Sequence, residues 1–138
     1  LYRANAAGFS RLVEIADPTA ITLGRGVEFV ADRASGNIWR VTGDDASLFA
    51  QVDGAVVLQL TAANLLVASS ASRSVEAVSL ANGERAGSLA LDFQPERLEI
   101  LGAGPLAVLN RASANEPLWV LDSRDALQVF FVPTGSVE

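Results

Sequence analysis

The chain has 138 residues, half of them hydrophobic, a formal net charge of −6 and a pI near 4.6. It contains no Cys, Met or His, and its ten basic residues are all Arg. A disulfide framework, thiolate or imidazole metal sites, imidazole bases and Lys Schiff-base chemistry are therefore excluded for this segment, and scattered Arg in an acidic chain leave no nucleic-acid footprint. The apolar runs, such as 56–58 and 65–68, are far shorter than the ~20 residues that span a bilayer, so no membrane span is expected. The length suits one domain-sized core. A start at Leu1 without Met reads as a fragment or processed product, with any signal peptide outside view.

No window of 11 or more residues holds a 3.6-residue period. Short runs of Val, Ile, Leu and Phe alternate instead with Gly, Asn, Asp, Ser and Pro clusters, which predicts an all-β chain. Two strands are expected within 1–15. Four more follow near 19–23, 27–31, 37–42 and 47–52, then four near 55–60, 65–69, 74–80 and 85–91, and four near 97–101, 106–110, 118–122 and 127–132. Gly24-Arg25-Gly26, Gly43-Asp44-Asp45, Asp53-Gly54, Asn82-Gly83 and Gly102-Ala103-Gly104-Pro105 supply the turns. Asn82-Gly83 is the strongest hairpin signal among them.

These strands repeat. Val30-Ala31-Asp32-Arg33-Ala34-Ser35, Val67-Ala68-Ser69-Ser70-Ala71-Ser72 and Val108-Leu109-Asn110-Arg111-Ala112-Ser113 are three versions of one apolar run and small polar turn, with their final serines 37 and 41 positions apart. A period of roughly 40 residues is that of a four-stranded propeller blade. The fold expected is thus an all-β, partial β-propeller over 1–138. Residues 1–17 form the last two strands of one blade, 18–53, 54–94 and 95–132 form whole blades, and 133–138 begin another.

The second repeat, Leu65-Leu66-Val67-Ala68-Ser69 through Val75-Glu76-Ala77-Val78-Ser79-Leu80-Ala81-Asn82-Gly83-Glu84 to Phe93-Gln94-Pro95, resembles the repeat of YVTN-type propellers, whose rhythm the NHL and lactonase-like propellers share. That resemblance implies a bacterial, often exported (periplasmic or extracellular) propeller, frequently without a catalytic role. Fold-level analogy by itself assigns no activity.

Candidate functional residues come from strand direction. Loops that leave each second strand and segments that lead into each first strand fall on one face of such a fold. The first class holds Asp32, Arg33, Arg73, Asn110 and Arg111; the second holds Asp17, Asp53 and Gln94. Together they would ring that face with alternating guanidinium and carboxylate or amide groups, suited to a protein, a peptide or a small polar ligand, the plain alternative being solvated loop charge. Asp44-Asp45 and the pair Asp122 and Asp125 read as turn residues bonding their own backbone. Tyr2, Trp39 and Trp119 share one repeat position, with Glu76 as the exception, and read as packing between blades.

No catalytic residue, metal or cofactor is expected here. The function expected is a non-catalytic binding or assembly module; the alternative is a lactonase-like or other hydrolase propeller with its catalytic residues in further blades. An open arc exposes apolar blade faces and unpaired edge strands, so the remaining blades of the same polypeptide or a second copy should close the ring.

Overall fold

A computed structural model describes residues 1–100 and the strands at 106–109, 118–122 and 128–132. Every element among the described residues is a strand. The first sheet pairs β1 (Tyr2–Asn5) with β2 (Gly8–Arg11). The second holds β3 (Pro18–Gly24), β4 (Val27–Asp32), β5 (Asn37–Thr42) and β6 (Asp45–Gln51). The third holds β7 (Ala55–Leu60), β8 (Asn64–Ser69), β9 (Ser74–Ser79) and β10 (Arg85–Ala90). In the fourth, β11 (Arg97–Ile100), β12 (Leu106–Leu109), β13 (Leu118–Asp122) and β14 (Gln128–Val132) pair in the same consecutive antiparallel order.

Local chemistry sets the turns. Arg25 and Gly26 join β3 to β4 with φ of +55° and +75°, the positive pair a two-residue type I′ hairpin needs. The Asn82-Gly83 signal also closes a hairpin, but through the five-residue loop 80–84. There the Gly83 amide donates to Ser79 O and the Ser79 amide to Glu84 O, 2.8 Å each. Gly83, at φ +74°, presses against the Phe49 carbonyl of the second sheet, leaving no room for a Cβ.

The sheets stack face to face, so their central strands are buried on both sides. Phe29 to Asp32 of β4, Leu65 to Ser69 of β8 and Ser74 to Val78 of β9 are buried without alternation. This is why the sequence shows continuous apolar runs rather than a period of two. Phe29, Ala31, Ile38 and Val52 meet Leu58, Leu65, Val67 and Val78 between the second and third sheets. On the far side of the third sheet, Leu66, Val75 and Ala77 pack on Leu98. The first strands β3, β7 and β11 lie side by side, and Thr19 Oγ1 donates to Ala55 O at 2.7 Å across that inner edge.

The first sheet covers its neighbour only in part. Arg3 Nη2 reaches Glu28 Oε2 at 3.0 Å, and Trp39 and Val41 share Glu28's face by register. Trp39 is half-buried there. Ile21 and Leu23, on the inner strand β3 and the same face, remain 57% and 68% exposed. Tyr2 is 64% exposed, and the Trp119 side chain lies outside the described residues.

Candidate functional site

The last residue of each second strand ties its sheet together. Asp32 accepts the Asp17 amide (3.0 Å) and the Ala34 amide (3.2 Å) on Oδ1, and the Ser35 hydroxyl (2.9 Å) and Ala16 amide (3.4 Å) on Oδ2. In the next sheet the equivalent Ser69 hydroxyl donates to Asp53 O at 2.6 Å and accepts from the Ser72 amide and hydroxyl. Matching backbone bonds run from the Arg33 amide to Asp17 O and from the Ser70 amide to Gly54 O, 3.0 and 2.9 Å. Each second strand is thereby fastened to the segment leading into its own first strand. Asp32 is only 4% exposed. Burial alone would raise its pKa, but the Ser35 hydroxyl and the amides of Asp17, Ala16 and Ala34 outweigh that and hold it below the ordinary carboxylate value.

These fastenings bring the sequence-derived candidates to one end of the strands. Arg33 Nε lies 2.8 Å from Asp17 Oδ2 in a solvent-exposed pair, of a kind worth less than about 1 kcal/mol. Asp53, Arg73 and Gln94 are exposed, and no side-chain hydrogen bond or ion pair engages them among the described residues. Asp32 is committed to its own loop and to the segment at 16–17. Asn110 and Arg111 lie outside the described residues.

Glu76 occupies the repeat position held by Trp39 and is 3% exposed. Its Oε1 accepts from Ser74 (2.8 Å) and Ser88 (3.0 Å), and Arg85 Nε approaches Oε2 to 2.8 Å. The hydroxyls of Ser69, Ser72 and Ser74 continue this network to the surface turn at 70–73. The exception in the aromatic position was visible in the sequence; its serine network was not, because only Ser74 is local, while Ser88 lies on the next strand, Ser69 on the preceding one and Ser72 in a turn.

The opposite end of the strands carries a concavity that the sequence did not reveal. A cleft of about 330 Å³ opens between the second and third sheets, walled by Val27, Phe29, Leu60 and Leu80 and bordered by Arg25, Arg40 and Thr61. Its residues come from β3, β4, β5 and β7 and from the turns at 25, 61 and 80, so only the stacking of sheets assembles it. Among the described residues, no group of His, Cys, Asp or Glu is placed to hold a metal ion, and no helix is long and apolar enough to cross a membrane.

No protein-family model and no curated protein matches the chain. Solved structures do. Streptogramin B lyase superposes with a TM-score of 0.73 at 14% identity, over 96% of this chain and 48% of that one. A putative 6-phosphogluconolactonase from Bacteroides uniformis gives 0.68 at 13% identity, over 97% and 51%. BamB from Moraxella catarrhalis gives 0.63 at 14% identity, over 84% and 37%. All three are β-propellers, and the likeness shows that this chain folds as propeller blades. It spans about half or less of the length of these proteins.

Proposed function

We propose that this segment is a non-catalytic binding and assembly module of a larger, exported propeller, made of the blades 18–53, 54–94 and 95–132 with parts of two others. The observation that carries this reading is the commitment of its buried carboxylates. Asp32 spends its oxygens on four donors of its own sheet, and Glu76 is held by Ser74, Ser88 and Arg85. With no His, Cys or Lys in the chain, general acid/base and nucleophilic work would fall to exposed loop acids without a shaped pocket. What the loop end offers is recognition, through Asp17 with Arg33, then Asp53, Arg73 and Gln94, for a peptide or protein surface of mixed charge; Asn110 and Arg111 hold the matching sequence positions of the third repeat.

Similarity to a lyase and a putative lactonase supports the second reading, a hydrolase propeller with its chemistry in other blades. Two measurements on the full polypeptide separate them. Incubation with δ-gluconolactone should give no turnover above buffer, and titration with a peptide of alternating Arg and Glu should shift the backbone amides at 32–35, 53–54 and 70–73. Lactone turnover, or no saturable shift at those amides, would overturn the binding-module reading.

A further inference from the structure

The cleft at the opposite end of the strands is independent of the loop face just described. We propose that it binds a small organic anion with an apolar body, an aryl or alkyl carboxylate. Its volume of about 330 Å³ falls within the range of roughly 300–1,000 Å³ typical of small-molecule sites, which combine apolar walls with a few placed polar groups. The walls are the side chains of Val27, Phe29, Leu60 and Leu80, and the polar groups are two guanidinium ions and the Thr61 hydroxyl. Thr61 is already engaged with Asn64, donating to its carbonyl and accepting from its amide. The recognition therefore rests on Arg25 and Arg40.

Three observations mark the cleft as a ligand site, and the first of them favours an anion. Arg3, Arg11, Arg33 and Arg85 each pair with a carboxylate; Arg25, Arg40, Arg73 and Arg97 have no ion pair or side-chain hydrogen bond among the described residues, and of these Arg25 and Arg40 both border the cleft. In a chain of net charge −6, two unneutralised cations bordering one cleft form a local field complementary to a negative ligand. Arg25 also stands at φ +55°, a left-handed position that an ordinary side chain adopts only at a cost. That turn fixes where the guanidinium leaves the backbone, and such outliers gather at ligand sites. Finally, Gly24 keeps the cleft open: a Cβ there would stand 2.8 Å from Leu60 Cδ1. A guanidinium fork matches a carboxylate, while the Phe29 and Leu60 walls favour an apolar body over a bare inorganic ion.

Titration of the whole chain with 3-phenylpropionate, its neutral amide 3-phenylpropanamide and inorganic phosphate, followed by amide chemical shifts, tests the proposal. The carboxylate should saturate with a Kd on the order of 1 mM, shifting amides at 24–27, 60–61 and 80. The neutral amide and phosphate should each bind at least tenfold more weakly. Arg40→Gln and Arg25→Gln should each weaken the carboxylate about tenfold while leaving the amide unchanged, and Arg97→Gln, an exposed arginine outside the cleft, should have no effect. Equal affinity for carboxylate and amide, shifts confined to other residues, no saturation by about 20 mM, or an Arg97→Gln effect as large as that of Arg40→Gln would each overturn it. The ligand comparison and shift map in the unsubstituted chain decide the matter even if an Arg variant fails to fold.

Discussion

Gly36 and Arg73 hold the same place in successive sheets and share a left-handed backbone, with φ of +71° and +49°. Each offers its carbonyl to the amide just beyond the outermost strand, Gly36 O to Val52 at 2.8 Å and Arg73 O to Leu91 at 2.7 Å. The turn demands that conformation, and only one of the two repeats supplies the residue that adopts it without cost. Left-handed backbone costs a non-glycine residue about 1–2 kcal/mol, against roughly 0.5–1 kcal/mol of extra chain entropy for glycine. Arg73→Gly should therefore stabilise the protein by about 0.5 kcal/mol. Gly36→Ala should destabilise it by about 2 kcal/mol or more, because its Cβ would also come within 2.7 Å of Asp53 Oδ1. Urea midpoints measure both; a lowered midpoint for Arg73→Gly would show that the Arg side chain does more than fill the turn.

Gly54 is the tighter constraint. It sits at φ +64°, and a Cβ would stand 2.7 Å from the Ala71 amide nitrogen, a backbone atom that cannot swing aside. Gly54→Ala should cost about 3 kcal/mol or more, and equilibrium unfolding that leaves the midpoint unchanged would contradict this account of the turn.

The Asp32 fastening carries a pH signature. Its native pKa lies below the ordinary value, so the carboxylate's contribution is fully present above the unfolded pKa of about 3.9 and is lost as pH falls through the native value. Asp32→Asn should cost about 2–3 kcal/mol at pH 7, and the gap from the parent protein should close as pH drops below about 4. A gap that stays constant down to pH 2 would mean that charge plays no part.

The buried Glu76 and its partner Arg85 should behave asymmetrically. Removing the guanidinium in Arg85→Ala leaves an unpaired buried carboxylate and should cost about 3 kcal/mol. The double variant Glu76→Leu with Arg85→Ala should recover to within about 1 kcal/mol of the parent, since an apolar side chain suits the space between the sheets. Additive losses in the double variant would rule out this reading of the pair.

The strands were legible because burial on both faces writes continuous apolar runs, such as Leu65 to Ala68, between residues suited to turns. Loop detail was less so. Asn82-Gly83 marked the hairpin but not its detail: the bonds linking Ser79 with Gly83 and Glu84 close a five-residue loop, one longer than the strand runs suggested. The grouping of Asp17 with Arg33 could be anticipated from strand direction, because both lie at ends that antiparallel order brings together. Asp32 looked like a loop acid alongside them; its role as a four-bond acceptor depends on amides sixteen and fifteen residues earlier. The cleft of Arg25 and Arg40 left no trace, since Leu60 and Leu80 reach it only when two sheets stack.

We propose that these blades form part of a larger ring whose further strands cover β1 and the exposed Ile21 and Leu23. Sedimentation equilibrium of the 138-residue chain checks this. The chain should associate with rising concentration above the monomer mass of 14.4 kDa, and the association should be suppressed when the chain is embedded in its complete polypeptide. A monodisperse 14.4 kDa monomer, soluble at every concentration and unfolding in one cooperative step, would contradict it.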